Sequence, residues 1–214
     1  MSAKKDCGHH GLKHRHWIFR RIFAGILIFM FVVLVTVLIV WAILQPRKPR
    51  FVLQDATVYA FNVSSPPNSL TSTFQVTLYS RNPNDKIGIY YDKLDVYATY
   101  RNQQITLRSQ IPSTYQGHKD VNIWSPFIYG NSVPVAPYNA LALSQDKAIG
   151  AVMIMIKIDG RVRWKVGTFI SGRYHLYVRC PASINFGSAG TSGIALENGG
   201  GVKYQLVQSC SVSV

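Results

Sequence analysis

Acidic residues are scarce in this chain of 214 residues: Asp and Glu together number 9, against 23 Lys and Arg, giving a formal net charge of +14. The few acids are scattered, with no evident pair of carboxylates placed for general acid/base work. Histidine is thin as well. Beyond the first 21 residues only His118 and His175 occur, and no metal-ligand spacing links them. There is no nucleophile elbow and no phosphate-binding glycine loop. These gaps argue against an enzyme and give no grounds for a cofactor or a metal. The positive charge comes without any nucleic-acid motif, so nucleic acid is not expected as a partner. No internal repeat is visible. Charged residues make up only 15% of the chain, and uncharged polar residues with Tyr take their place.

What is present in abundance is one apolar run, Ile22 to Leu44, with no charge and a single hydroxyl side chain, Thr36. As a helix it would be about 34 Å long at ~1.5 Å per residue. That exceeds the roughly 30 Å hydrocarbon core of a bilayer. A soluble core helix has no reason to be apolar on every face for that length. The run therefore predicts a transmembrane helix over 22–44. It divides the chain into a basic tail (1–21), a linker (45–50) and a large domain (51–214). The tail carries Lys4, Lys5, Lys13, Arg15, Arg20 and Arg21 against Asp6, whereas the other flank carries Arg47, Lys48 and Arg50. Lys and Arg near the ends of a span favour the cytosolic side. The tail is thus expected in the cytosol and the domain outside. Trp17 and Trp41 suit the two interfaces.

A cleavable signal peptide would have a shorter apolar region and a small-x-small cleavage site. Trp41-Ala42-Ile43-Leu44-Gln45-Pro46 offers none, so a retained signal anchor is expected. Lys203 to Val214 alternates polar and apolar residues rather than forming the apolar tail of a glycolipid-anchor signal. One N-terminal helix is expected to hold the protein. It contains Ala24 and Gly25 but no Gly-x-x-x-Gly pair, and the sequence sets no oligomeric state.

The residues after the span suffice for one domain with a proper core. Their punctuation is that of an all-β fold. Phe51 to Phe61 reads as a first strand, followed by the turn cluster Ser64 to Ser69. Ser72 to Arg81 alternates, with Phe74, Val76, Leu78 and Ser80 on one face. Asn82-Pro83-Asn84-Asp85 is a turn signal. Ile87 to Tyr100 reads as strand with a break near Asp92-Lys93, and Gln103 to Ser109 as another short one. Ile111 to Pro137 is read as one strand, Lys119 to Trp124, and then irregular chain. A helical turn is predicted at Ala140 to Asp146. The apolar run Ala151 to Ile158 predicts a central strand covered on both faces. Asp159-Gly160 then predicts a hairpin turn. Arg161 to Gly167 and Gly172 to Cys180 would complete a three-strand meander. Gly187 to Gly201 reads as flexible, and Tyr204 to Val214 as a last strand. Seven to nine short strands of this kind predict a β-sandwich.

Of the three cysteines, Cys7 lies in the tail. Cys180 and Cys210 lie in the domain, where oxidising conditions outside a membrane would favour a disulfide. Two buried free thiols are the alternative. Asn62-Val63-Ser64 is a glycosylation acceptor beside the Ser/Pro turn. The tail histidines His9, His10, His14 and His16 lie near Cys7, which is itself a candidate for acylation. The plainer reading of this tail is a solvated basic segment attracted to the anionic inner leaflet. The sharpest binding candidate is Arg161, Arg163 and Lys165. In a strand they alternate with Val162, Trp164 and Val166 and share one face. Such a ladder could follow a polyanion such as acidic cell-wall polysaccharide. An ordinary solvated sheet face explains it with fewer assumptions.

Several segments resemble one family in combination. They are Gln45 to Phe51, Asn82-Pro83-Asn84-Asp85-Lys86-Ile87-Gly88-Ile89-Tyr90-Tyr91-Asp92, Tyr115 to Lys119, Trp124-Ser125-Pro126, Gly160-Arg161-Val162-Arg163-Trp164-Lys165-Val166-Gly167, and Tyr174 to Cys180. Together they resemble the plant harpin-induced-like and non-race-specific-disease-resistance-like membrane proteins. The resemblance implies a late-embryogenesis-abundant type-2 domain with an immunoglobulin- or fibronectin-like β-sandwich. It also implies a plasma-membrane protein of plant defence and stress responses, in some members at plasmodesmata, and no catalytic residues. The expected function is adaptor, adhesion or scaffold contact of the outer sandwich with the cell wall or with defence-related membrane proteins. The alternative is a stress-protective or lipid-contacting sandwich that holds an apolar ligand.

Overall fold

The computed structural model describes residues 10–43, 46–64, 68–186, 193–195 and 200–214. The chain divides into two compact units, Met1–Gln45 and Pro46–Val214. The first contains one helix, α1 (His10–Ile43). Its segment Phe19–Ile39 is long and apolar enough to cross a membrane. The only hydroxyl in the apolar run is satisfied inside the helix, since Thr36 Oγ1 donates to Val33 O at 2.8 Å. Arg21 lies over the Trp17 ring, 3.6 Å from its centroid. The helix starts well before Ile22, so the second half of the expected tail is helical. The predicted C-terminal bound, Leu44, lies outside the described residues, as do Cys7, His9 and the side chains of His10, His14, His16 and Trp41.

The second unit is a two-sheet sandwich. Its elements are β1 (Arg50–Ser64), β2 (Ser69–Arg81), β3 (Ile87–Tyr100), β4 (Gln103–Gln104), β5 (Ser109–Ile111), β6 (Thr114–Gln116), β7 (Val121–Trp124) and β8 (Phe127–Pro134). These are followed by α2 (Pro137–Ile149), β9 (Ala151–Val166), β10 (Phe169–Ile170), β11 (Tyr174–Asn185), β12 (Gly193–Ala195), β13 (Val202–Ser209) and β14 (Ser211–Ser213). The first sheet runs β12-β13-β1-β2-β7, with β8 also on β2. The second runs β14-β11-β9-β3-β4, with β10 on β9 and with β5 and β6 on β3. The strand pairs are antiparallel.

Alternation along β2 buries Leu70, Ser72, Phe74, Val76, Leu78 and Ser80 on one face, as its sequence pattern predicts. Across the sandwich, Tyr91 of β3 meets Phe51 and Trp124 edge-on, at 6.2 and 5.4 Å between ring centroids. Each fully buried large apolar side chain of this kind contributes roughly 1.5–3 kcal/mol. The Tyr91 hydroxyl would be costly without partners in that core. It donates to Gln116 Oε1 at 2.9 Å and lies 3.0 Å from Ser80 Oγ. Burial raises its pKa above the ordinary phenol value. Gln116 closes the network by donating to the carbonyls of Ser80 and Asp120.

The Asn82-Pro83-Asn84-Asp85 segment does turn the chain from β2 to β3, but its asparagines are buried. Asn82 Nδ2 donates to Ile87 O (2.7 Å) and Gly117 O (2.8 Å). Its Oδ1 accepts from the backbone and side-chain nitrogens of Asn84. Asn84 in turn pairs with the linker: Arg47 N donates to its Oδ1, and its Nδ2 donates to Arg47 O, both at 2.8 Å. The linker is therefore fastened to the sandwich at Arg47.

Several expectations need correction. The run Ala151 to Ile158 is covered on one face only. Val152, Ile154, Ile156 and Ile158 are buried, while Met153 is 59% exposed. Asp159-Gly160 makes no turn, because β9 runs straight through it, with Gly160 opposite Leu94 on β3 and Leu176 on β11. Gly is needed there for close approach. A Cβ at Gly160 would collide with Lys93 O and the Leu94 side chain. The break expected near Asp92-Lys93 is a β-bulge in a continuous β3, with Asp92 as the extra residue. The expected meander is instead two long strands, β9 and β11, with β3 on the other side of β9. Ile111 to Pro137, read as one strand and then irregular chain, contains β6, β7 and β8, and the predicted helical turn is the longer α2, which Gly150 closes in the left-handed conformation. Most of Gly187 to Gly201 lies outside the described residues.

The predicted last strand is split. β13 belongs to the first sheet and β14 to the second, and the chain crosses between them at Cys210. There Cys210 forms a disulfide with the buried Cys180 of β11, with Cα atoms 4.3 Å apart. The crossover is stapled to the second sheet where the two sheets meet.

Candidate polyanion-binding face

The outer face of the second sheet follows from the alternation of its two longest strands. In β9, Val162 and Trp164 enter the core and Arg161, Arg163 and Lys165 point away from it. The same period of two in β11 buries Leu176, Val178 and Cys180 and exposes His175, Tyr177 and Arg179. Register places His175 beside Arg161 and Arg179 beside Lys157. The three predicted cations do share one face, but they are not equivalent.

Arg163 is tied down. Its Nε donates to both Asp92 carboxylate oxygens, at 2.9 and 3.0 Å, and its Nη2 bonds the same group. The bonds to Asp92 raise the pKa of Arg163 still further. Asp92 also receives Arg173, at 3.3 Å. The bulge that displaces Asp92 from the β3 ladder thus gives the outer face a carboxylate shared by two arginines. Further acids are likewise held: Asp95 by Lys93 at 3.4 Å, and Asp159 by Arg108 at 3.5 Å and by the Tyr97 hydroxyl at 3.1 Å. Asp95 and Asp159 face each other across the β3–β9 ladder, so these cations offset a like-charge pair. Burial and the neighbouring Asp159 raise the pKa of Tyr97.

Among the described residues no carboxylate pairs with Lys157, Arg161, Lys165 or Arg179. Three of these sit on β9 four residues apart, hence at steps of ~13 Å. The ladder available to an anion is therefore Lys157, Arg161 and Lys165. The expected middle rung, Arg163, serves instead to hold Asp92. Aromatic rings stand beside the cations on other strands of the sheet. Lys165 Nζ is 5.3 Å from the Tyr115 ring centroid, and Tyr90 and Tyr115 pack 4.6 Å apart. Arg108 lies over Tyr97 at 4.6 Å, and His175 stacks on Tyr177 with an interplanar angle of 11°. A concavity of about 590 Å³ is lined by Asp92, Lys93, Asp95, Arg108, Asp159, Arg161, Arg173, His175 and Tyr177. Unpaired cations can attract carboxylates or sulfates, and flat exposed rings can stack on sugar faces. Among the described residues, no three His, Cys, Asp or Glu side chains converge to hold a metal.

The sequence reading missed Lys157, Arg173, His175, Tyr177 and Arg179. The signal for His175, Tyr177 and Arg179 was the alternation within Tyr174 to Cys180. The pairing of Asp92 with Arg163 spans 71 residues and left no local trace. Asn62 is exposed on β1 opposite Thr71, near the end of the strand farthest from the linker. Ser64 of its acceptor triplet is exposed as well.

Comparison with known proteins places these features. The profile of the family described as "Late embryogenesis abundant protein" matches residues 77–182, the stretch from β2 through β11 that carries this face. NDR1/HIN1-like protein 1 of Arabidopsis thaliana is 64% identical over 211 residues, covering 98% of this chain and 100% of the relative. NDR1/HIN1-like protein 12 of the same plant is 60% identical over 210 residues, covering 98% and 99%. NDR1/HIN1-like protein 26 is 40% identical over 195 residues, covering 87% and 88%. On this near full-length similarity, the chain belongs to the NDR1/HIN1-like family, with a late embryogenesis abundant domain as its sandwich.

Proposed function

We propose that this is a non-enzymatic, single-pass plasma-membrane protein of plant defence and stress responses. Its sandwich lies outside the cell and binds acidic polysaccharide of the wall through the outer face of the second sheet. Family membership supports the physiological role, and α1 supports the anchor. The observation that carries the binding reading is the line of cations Lys157, Arg161 and Lys165 without a carboxylate partner, with the exposed rings of Tyr115 on β6 and Tyr177 on β11 in the same sheet. Arg161 is exposed and Lys157 and Lys165 are partly exposed, so their attraction acts through solvent and is screened as the Debye length falls from about 10 Å at 0.1 M salt to about 3 Å at 1 M.

The test is binding of the full chain, in nanodiscs, to polygalacturonate at increasing salt. The expected result is binding that weakens steeply with salt and is lost in the Lys157→Gln/Arg161→Gln/Lys165→Gln variant. Arg163→Gln is left out of that variant because it would remove the bidentate partner of Asp92 and leave that carboxylate to Arg173 alone. If the triple variant binds like the original, this face is not the site. Orientation is tested separately in plant membranes. A glycosidase-sensitive form absent from Asn62→Gln places the domain outside. Thiol labelling of reduced Cys180 and Cys210 from the cytosolic side would reverse that topology and remove the wall as a partner. Residence at plasmodesmata follows from the family resemblance and is tested by imaging the tagged full chain.

A further inference from the structure

We infer that the linker end of the sandwich docks on the anionic phospholipid surface of the membrane that holds α1, with the β9–β10 hairpin tip as its apolar contact. The inference rests on the anchoring reading above and concerns a different face from the polysaccharide site. Four residue steps separate Ile43 from Arg47, which is clamped to Asn84. Even fully extended, they reach at most about 14 Å. A helix that spans the bilayer therefore brings the end of the sandwich carrying Arg47 within reach of the headgroups.

Register shows what else occupies that end. Arg50 begins β1 opposite Arg81, the last residue of β2. Val166 of β9 pairs with Ile87, the first residue of β3, so the β9–β10 turn continues past the start of β3. Gly167, at φ +56°, opens that turn, and Phe169 folds back on Val166. Phe169 is 70% exposed and Ile170 41% exposed, two apolar side chains at a tip where solvent alone gives them no partner. The same end exposes Arg47, Lys48, Arg50 and Lys86. Asp85 at the same end is engaged by Lys119, whose hydrogen bond lowers its pKa, and Asp120 accepts from the backbone of Gly117 and Val121. An apolar tip on an end that also exposes several cations is the pattern of a surface that inserts shallowly among anionic headgroups.

The test uses the full chain with Cys7→Ser, so that a single introduced cysteine takes a nitroxide label. Labels at Thr168→Cys (hairpin), Tyr138→Cys (α2, at the other end of the sandwich) and Phe29→Cys (within α1) are compared in nanodiscs of phosphatidylcholine with phosphatidylserine. Collision with oxygen reports lipid, and collision with a nickel chelate reports water. The expected result is several-fold less nickel collision at 168 than at 138. That protection should be lost in Phe169→Asp/Ile170→Asp and reduced in phosphatidylcholine alone. If 168 reads like 138 while 29 lies in lipid, docking is refuted and anchoring stands. Protection that survives the double aspartate variant refutes the hairpin contact. Equal protection without phosphatidylserine refutes the role of the cations. A water-exposed label at 29 overturns the anchoring reading and this inference together.

Discussion

Replacing Asn82 by alanine should cost the sandwich about 4 kcal/mol, from four lost hydrogen bonds at about 1 kcal/mol each. The side chain is fully buried and makes those four bonds to Ile87 O, Gly117 O and the two nitrogens of Asn84. The loss is a large fraction of the roughly 5–15 kcal/mol that holds a domain together. With a urea slope of about 2 kcal/mol/M, the midpoint would fall by about 2 M. The assay is urea unfolding of detergent-solubilised full chain followed by tryptophan fluorescence. Buried Trp124 and Trp164 make it sensitive to the sandwich. Asn82→Asp is the sharper probe. It keeps the acceptor for Asn84 but aims a carboxylate at the carbonyls of Ile87 and Gly117. At pH 7 it should be at least as damaging as alanine. Its deficit should shrink as acid protonates the carboxyl, which can then donate one bond. A midpoint within about 0.5 M of the original for both variants would refute the view that this asparagine network stabilises the sandwich.

Removing the disulfide should cost up to about 3.6 kcal/mol on the chain-entropy model, because its cysteines are 30 residues apart. A Cys180→Ala/Cys210→Ala variant whose urea midpoint matches the oxidised protein would contradict that. Gly160→Ala should destabilise by about 1–3 kcal/mol through overpacking against Lys93 O and Leu94. The same assay checks it; a neutral result would mean that the β3 bulge can shift freely. At alkaline pH, burial and Asp146 push Tyr100 up to about 12. Its contribution is fully present below the ordinary tyrosine value of about 10 and is lost as pH rises from there toward about 12. The midpoint should therefore fall less steeply with pH in Tyr100→Phe; parallel slopes would disprove the assignment.

Elements whose cause is local are legible in the chain's residues alone. Composition marked the apolar helix, because no soluble packing explains a run without one polar face. Alternation oriented β2, and it put Arg161, Arg163 and Lys165 on one side of β9, because a strand's side chains alternate whatever surrounds them. The β-sandwich was legible from strand spacing and turn residues. Tertiary structure decided the rest, wherever a residue's role depends on a partner far along the chain. Asp-Gly at 159–160 has the local chemistry of a turn, yet it lies flat in β9 because the bulge of β3 approaches it. The buried polar network around Tyr91, Gln116 and Asn82 gathers residues from three separate stretches. Arg163 looked like a rung equal to its neighbours until Asp92, 71 residues away, claimed it. The line of cations open to an anion could not be read from the sequence, because strand register and a single bulge decide which charges are already paired.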